Sequence, residues 1–417
     1  MFCTTTATTM SIIEILSAIL VNIGLTNKPL LDFFTELVEL KFSIHGRHNF
    51  ANYARYSKHD ESTFRRRYGQ YFDWLKFNYA TMVMGNVVEN NEPVIAAIDC
   101  SFISKSGKKT YGIDNFWSGC LQQSKKGLEI SVLALINVCN GQIQTLDVTR
   151  TSSGLSQKEG DSTYSRVNFY IEQILDCLVY LVGIQYFVAD GYYAKAKFFD
   201  AIIGMDKHLI TKLRSDSNLK FQFEGIHPVR SGPKNKYGQK VTYDNLSLWK
   251  KAGNDEKYSY LELYHHICFS PSFNRWLNVV LIYNTKTKQY ALLASTDLAQ
   301  SAQQILSYYQ LRFQIEFLFR DAKQFMGLTH CQAQDEAKLD FHFNLCFSTL
   351  NLLSVQKILD PNALSINNLT RRSYNERFLN NLLTQLSKKA DLKVLFDPIK
   401  DLFNSVAKWG EMNTVIE

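Results

Sequence analysis

Val94-Ile-Ala-Ala-Ile98-Asp99 is an unbroken apolar run that ends in a carboxylate. A short run without polar alternation is typical of a strand that is buried on both faces in the centre of a sheet. Two further strands are predicted at 128–138 and 142–148, and Cys139-Asn140-Gly141 between them is a strong signal for a hairpin turn. The sequence therefore predicts a sheet that begins with three meandering strands.

A second group of elements follows the meander. Residues 184–189 are a predicted fourth strand that runs into Asp190, a helix is expected near 194–203, and 208–213 is a fifth short strand. This element order is that of an RNase H-like α+β fold, a mixed sheet flanked by helices. In that fold the first and fourth strands are neighbours, so Asp99 and Asp190 are expected to meet.

Changes in composition divide the chain into five expected regions. They are a helical N-terminal domain at 1–85, the first part of a core at 86–214, a β-rich insertion at 215–296, the second part of the core at 297–360, and a helical C-terminal region at 361–417. Alternating Tyr, Val and Thr residues mark the insertion as β-rich.

The N-terminal region carries a basic helical pair. Two short helical segments flank a polar break at 57–60, and Asp60 is suited to cap the second segment, which contains Arg65, Arg66 and Arg67. A tight turn followed by a basic helix is typical of a helix-turn-helix, with these arginines on DNA. The alternative is a helical hairpin with solvated arginines.

Composition describes a globular chain with a basic balance. The 417 residues are 46% hydrophobic and 20% charged, with a net charge of +7. These values exclude a disordered chain and permit an anionic partner. The cysteines include no CxxC pair, which indicates free thiols of a reducing compartment. Residues 10–25 are expected to be an amphipathic packing helix and not a signal peptide. No apolar run is long enough to span a bilayer, so a cytoplasmic protein is expected.

A polar stripe near the end of the core joins four residues, Tyr309, Arg312, Glu316 and Lys323. On one continuous helix they would lie within an arc of roughly 60°. A tyrosine, two cations and a carboxylate suit a phosphate backbone held beside a metal ion. The alternative is a solvated helix face with ordinary ion pairs.

Two-metal phosphoryl transfer requires two or three carboxylates on rigid elements. Asp99, Asp190 and Glu316 are the candidates for this role. A strand-end aspartate can instead form a turn or cap a helix. The competing carboxylates are Asp114 or Asp147 in place of Asp99, Asp200 in place of Asp190, and Asp321 in place of Glu316.

Three segments together resemble the DDE transposases of the IS4 insertion-sequence family. They are Ala97-Ile-Asp99-Cys-Ser-Phe, Val188-Ala-Asp190-Gly-Tyr-Tyr193 and the polar stripe, which matches that family's Tyr-(2)-Arg-(3)-Glu-(6)-Lys signature at every spacing. The resemblance covers about 45–350 and includes a β-rich insertion between the second aspartate and the glutamate.

The resemblance implies a DNA endonuclease and transposase that uses two Mg²⁺ or Mn²⁺ ions. It implies that the protein binds the terminal inverted repeats of a mobile element in double-stranded DNA, cuts there, and joins the freed 3′-OH to target DNA. A homodimer in the bacterial cytoplasm, associated with the nucleoid, is implied as well. The metal ligands would be Asp99, Asp190 and Glu316, and the phosphate contacts would be Tyr309, Arg312 and Lys323. Arg320, which lies about 20° from Tyr309 on the helical wheel, is a further candidate for a phosphate contact.

Some members of that family form a DNA hairpin and trap a flipped base against an aromatic residue of the insertion. Trp276 or Trp249 would serve here, and the alternative is that both belong to the core. Two other functions stay open beside transposition. They are an RNase H-like nuclease without strand transfer and an inactive DNA-binding repressor derived from a transposase.

Overall fold

A computed structural model describes residues 10–88, 91–119, 121–151, 153–154, 164–225, 235–360 and 362–387. The helices are α1 Ile12–Asn22, α2 Lys28–Ser43, α3 Phe50–Tyr56, α4 Glu61–Arg67, α5 Trp74–Met84, α6 Arg166–Asp176, α7 Ala196–Gly204, α8 Ala302–Leu311, α9 Gln314–Gln324, α10 Glu336–Leu359 and α11 Ile366–Ser387. The strands are β1 Val94–Ser104, β2 Asp114–Ser118, β3 Gln123–Asn137, β4 Ile143–Arg150, β5 Tyr186–Ala189, β6 His208–Leu213, β7 Lys220–Gln222, β8 Tyr237–Lys240, β9 Lys250–Asn254, β10 Leu261–Ser270, β11 Arg275–Asn284 and β12 Tyr290–Ser295. The expected C-terminal region lies outside the described residues from 388 onward.

The centre of the sheet has the predicted RNase H-like order. β4, β3, β1, β5 and β6 are successive neighbours, with β3 antiparallel to both β4 and β1. β1 pairs in parallel with β5, and β5 pairs in parallel with β6. The mixed α+β fold class is therefore confirmed, and β1 and β5 are neighbours as the element order required.

Strands from 215–296 extend this same sheet. β12 pairs antiparallel with β6, β11 pairs with β12, and β10 pairs with β11. The short strands β7, β8 and β9 lie beyond β10. Backbone hydrogen bonds thus connect the inserted strands directly to the central strands.

The two faces of the sheet are covered by different helices. Ile95 and Ala97 of β1 face a core that includes α9 and α10, whereas Ala96 and Ile98 face a core that includes α6 and α7. α10 also completes the edge of β4, because the side-chain amide of Asn351 both donates to the Thr145 carbonyl and accepts from its N–H. In the described part of the chain, no helix is both long and apolar enough to cross a membrane.

Local structure departs from the sequence-based expectation at the end of the first strand. β1 continues to Ser104 because its antiparallel pairing with β3 runs as far as Gly127, so Asp99 lies inside the strand rather than at its end. Asp114, which competes with Asp99 for the first carboxylate position, is the first residue of strand β2.

The basic helical pair forms as predicted at α3 and α4. Asp60 caps α4, and its Oδ1 accepts a hydrogen bond of 2.8 Å from the Thr63 N–H. Phe64 is the buried residue of α4, while Arg65 and Arg66 are exposed. The helix therefore packs through one apolar residue and leaves arginines at the surface.

Candidate active site

Asp99 and Asp190 are brought together by strand pairing. The parallel register of β1 and β5 ends at the pair Ile98–Ala189, and each aspartate is the next residue in the chain. Asp190 Oδ1 accepts a 2.8 Å hydrogen bond from the Tyr192 N–H at the start of a short 3₁₀ turn. The carbonyl of Asp190 accepts a 2.8 Å hydrogen bond from the Thr211 hydroxyl, which fixes its backbone to β6.

Glu316 reaches the same place from a break between two helices. The single helix expected through the polar stripe is wrong, because α8 ends at Leu311 and α9 begins at Gln314. Hydrogen bonds of the tighter i to i−3 type connect the two helices, for example from the Arg312 N–H to the Tyr309 carbonyl at 3.2 Å. Glu316 lies in the first turn of α9, where the helix dipole favours a negative charge.

Arg312, in the break, bridges two of the carboxylates. Its Nη1 donates to Asp99 Oδ2 at 3.2 Å, and its Nη2 donates to Glu316 Oε1 at 2.8 Å. The Arg312 side chain is 13% exposed and that of Asp99 is 19% exposed. The Nε atom of Arg312 is buried and has no hydrogen-bond partner among the described residues. One mostly buried guanidinium is thus the counter-ion of both carboxylates.

Burial and crowding of negative charge perturb Asp99. Its removal from water, together with the charges of Asp190 and Glu316, raises the pKa of Asp99 to about 7. The Arg312 guanidinium and the hydrogen bond from the Cys100 N–H act in the opposite direction. Perturbation of this size by burial and like charges is typical of a functional site.

The other two residues of the stripe flank the carboxylates. The Tyr309 ring lies with its centroid 5.6 Å from the Arg312 guanidinium, and burial is the main cause that raises the pKa of Tyr309. Lys323 Nζ donates to the Ser101 hydroxyl at 2.7 Å. Ser101 was not a predicted site residue, although its position two residues after Asp99 puts it on the same face of β1.

The carboxylate set suits a hard divalent cation, but it is not arranged as a finished coordination shell. In the described ranges, no three His, Cys, Asp or Glu side chains form a group that could hold a metal ion. Oxygen donors on Asp99, Asp190 and Glu316 are those that Mg²⁺ and Mn²⁺ prefer. Burial first, and the neighbouring carboxylates second, raise the pKa of Asp99, and a bound cation would favour its ionised form.

The competing aspartates have other partners. None of them shares the Arg312 contact, and each is engaged elsewhere on the protein. Asp114 accepts from the Gly154 N–H, Asp147 from Thr149 and Gln173, Asp200 pairs with Arg275, and Asp321 pairs with Arg320.

The remaining arginines predicted to contact DNA have contacts with residues other than the three carboxylates. Arg320 is exposed and pairs with Asp321 on α9. Arg65 pairs with Glu61 on α4, and the guanidinium of Arg67 lies 5.8 Å from the centroid of the Phe33 ring. Arg320 lies about one helical turn after Glu316, whereas Arg65 and Arg67 lie on a different helix.

Neither tryptophan of the insertion reaches the carboxylates. Strand register aligns Ala97 with Asn278 across the sheet, so Trp276 lies level with Ile95, towards the opposite strand end from Asp99. Trp276 stacks on Tyr237 with ring centroids 5.7 Å apart. Trp249 is 5% exposed and belongs to the core.

Two other aromatic residues of the insertion, which were not predicted from the sequence, lie at the end of the sheet where the carboxylates lie. The turn between β9 and β10 carries Tyr258 and Tyr260, and Tyr258 is 40% exposed. Asp255 in this turn accepts a 2.8 Å hydrogen bond from Gln310, the neighbour of Tyr309. The available sequence signal was the Lys257-Tyr258 pair between two strands.

Comparison with known proteins identifies the family of the core. The chain matches the family model described as transposase DDE domain over residues 91–352, a range that contains Asp99, Asp190 and Glu316. A search for relatives among curated proteins found no match. The matched range is more than half of the 417 residues and includes the whole RNase H-like centre of the sheet. The chain therefore belongs to the transposase DDE domain family.

Proposed function

We propose that this transposase is of the IS4 type, and that it cuts DNA at the terminal inverted repeats of its element and joins the ends to target DNA. The observation that carries the proposal is the contact of one arginine, Arg312, with Asp99 and Glu316 beside Asp190. It supports a site where carboxylates for metal ions and cations for phosphates are intermixed. Double-stranded DNA is the partner expected of a transposase.

Asp99, Asp190 and Glu316 would hold the divalent ions, which we propose to be two Mg²⁺ or Mn²⁺ ions. When bound, such ions polarise the scissile phosphate and activate the attacking hydroxyl. The protein's own part would be to mount the three carboxylates on β1, directly after β5 and on α9, which are rigid elements.

Arg312, Tyr309 and Lys323 would hold the phosphates of the DNA end. A guanidinium can donate two parallel hydrogen bonds to a phosphate, and Lys323 supplies a point charge. Arg312 already uses both terminal nitrogens on carboxylates. Each of these nitrogens keeps a second N–H that could reach a phosphate, and exchange of either carboxylate contact for a phosphate would leave that carboxylate free for a cation.

The flanking regions supply further proposed contacts. The region 1–85, with Arg65, Arg66 and Arg67, would bind the terminal repeat as a helix-turn-helix-like domain. The insertion would contact DNA near the cleavage site, and Arg320 would contact a phosphate further along. The 361–417 region would contribute to a homodimer that holds two DNA ends together.

The pH dependence of metal binding tests the role of Asp99. Because the pKa of Asp99 is about 7, a metal ion must displace a proton below that pH. We expect the affinity for Mn²⁺ to fall about tenfold for each unit of pH below about 7 and to level off above it. In the metal-free protein the same shift lowers the free energy of unfolding as pH rises from 3.8 towards 7, because the folded state holds the proton more tightly.

Calorimetric titration with Mn²⁺ in buffers of different ionisation enthalpy measures the released proton. Asp99→Asn removes the titrating group and serves as the control. A wild-type affinity that does not change with pH across this range would contradict the assignment.

Strand transfer separates the proposed transposase from a nuclease. The protein is incubated with a labelled terminal-repeat duplex, Mg²⁺ and a supercoiled target plasmid. We expect a product in which the label is covalently joined to the plasmid. Nicked or cut duplex without joined product would favour an RNase H-like nuclease, and DNA binding without any cut would favour an inactive repressor.

A further inference from the structure

The hairpin of β2 and β3 extends the sheet beyond the carboxylates. β3 pairs with β1 from Asn137 to Gly127, and its remaining residues pair with β2 instead. Because β1 ends at Ser104, opposite Gly127, the hairpin continues outward from the strand that carries Asp99. It therefore projects past the candidate active site along the direction of β1.

One face of this hairpin is aligned with the face of Asp99. In the antiparallel register Asp99 is opposite Val132, so even-numbered residues of β3 share the face of Asp99 and Ser101. Lys126 has the same parity, and Trp117 is opposite Ser124 on that same face. The unbroken register thus puts Trp117 and Lys126 on the sheet face where Lys323 meets Ser101.

The aligned face is exposed and basic. Trp117 is 59% exposed, and among the described residues it has no aromatic neighbour in stacking contact. Lys126 on this face is exposed, Lys108 and Lys109 in the preceding segment are exposed as well, and exposed Lys125 lies on the opposite face. Asp114, the one acidic residue of the sequence from 105 to 126, is buried at the base of the hairpin.

The opposite face fixes the hairpin in place. Phe116 is fully buried, and the guanidinium of Arg166 lies 4.9 Å from the centroid of its ring. The preceding loop is held by a 2.8 Å hydrogen bond from the Tyr111 N–H to the Gln334 carbonyl. Trp117 and Lys126 are therefore presented by an anchored element, and their exposure does not result from a detached loop.

We infer that the face formed by Trp117 and Lys126 is a second DNA-binding surface, which holds the duplex that leaves the active site. This inference rests on the proposed function, because it requires DNA at Asp99. A lysine supplies the phosphate contact, and an exposed tryptophan supplies an apolar surface for the sugars or base edges of a groove. The positive charge of the neighbouring lysines and the continuity with the face of Asp99 favour DNA as the occupant.

The register also gives the distance along the sheet between Asp99 and Trp117. Five residue steps along β1 and three along β3 separate Asp99 from Trp117. At about 3.3 Å per residue this is about 26 Å. With a rise of about 3.4 Å per base pair, the surface meets the duplex roughly eight base pairs from the scissile phosphate.

Salt-dependent DNA binding by single variants tests the surface. The probe is a fluorescent duplex longer than this span, measured by anisotropy at several salt concentrations. We expect Lys126→Ala to weaken binding by several-fold and to reduce the slope of log K against log salt by about 0.9. Lys125→Ala, on the adjacent residue but the opposite face, is the matched control and is expected to change the slope less. Trp117→Ala is expected to weaken binding at all salt concentrations, and Trp117→Phe to restore most of it.

A photo-crosslinking residue at position 117 tests the distance. Crosslinks on a terminal-repeat duplex are expected to centre roughly eight base pairs from the cleavage site. Thermal melting of each variant shows whether it is folded. If the wild-type protein binds DNA and Lys126→Ala binds identically with the same slope, this surface alone is overturned. If the wild-type protein binds no DNA, the proposed function is overturned with it.

Discussion

Glu316→Gln is expected to lower DNA cleavage by at least about a thousandfold, equivalent to roughly 4 kcal/mol of transition-state stabilisation. The amide keeps the size of the side chain but removes the negative charge that would hold a metal ion. Glu316 is only half-buried, so the substitution leaves no large cavity and should not unfold the protein. Initial rates of cleavage on a terminal-repeat duplex with excess Mg²⁺ measure the effect.

Asp321→Asn is the matched control for this experiment. Asp321 lies on the same helix, has the same chemistry, and pairs with exposed Arg320 rather than with Arg312. Since exposed ion pairs contribute little, we expect its cleavage rate to stay within about threefold of wild type. An equal loss of cleavage in Asp321→Asn and Glu316→Gln would mean that the position of the carboxylate on α9 does not matter. That result would contradict the assignment of Glu316 as a metal ligand.

Arg312→Gln is expected to lower cleavage by about a hundredfold or more and to change how the protein responds to metal ions. Without the guanidinium, Asp99 and Glu316 lose the cation that now contacts both of them. The metal-free variant should therefore melt at a lower temperature than wild type. Addition of Mn²⁺ should stabilise the variant more than the wild type, because the cation no longer competes with an arginine.

Thermal melting with and without Mn²⁺ separates this account from a simple packing defect. A packing defect would lower the melting temperature equally in both conditions. Arg312→Lys keeps a charge but cannot bridge two carboxylates, so an intermediate result is expected. Arg320→Gln is the control on the same helix, and a loss of cleavage as large as that of Arg312→Gln would contradict the distinct role of Arg312.

Sequence reasoning predicted the centre of the sheet because its signals are local. The apolar run before Asp99, the Asn140-Gly141 turn and the strand before Asp190 each indicate one element, and RNase H-like order then makes β1 and β5 neighbours. Long-range pairing could not be predicted in the same way. The continuation of the inserted strands into the sheet through β12 and β6 depends on register between distant segments.

Helical periodicity alone gave the wrong picture of the polar stripe. Tyr309 and Glu316 have helical spacing, yet tighter hydrogen bonds at Arg312 and Phe313 divide the segment into α8 and α9. No glycine or proline marks this break. The position of Trp276 also could not be predicted, because it follows from strand register across the sheet.

Cleavage of a duplex that carries the element's own terminal repeat, with Mg²⁺ and with EDTA, tests the central claim most directly. The claim is that Asp99, Asp190 and Glu316 form one metal-dependent site on DNA. The predicted result is a cut at the end of the repeat with Mg²⁺, no cut with EDTA, and loss of the cut in Asp99→Asn, Asp190→Asn and Glu316→Gln alike. A cut that persists in EDTA, or in any of the three variants at the wild-type rate, would contradict it.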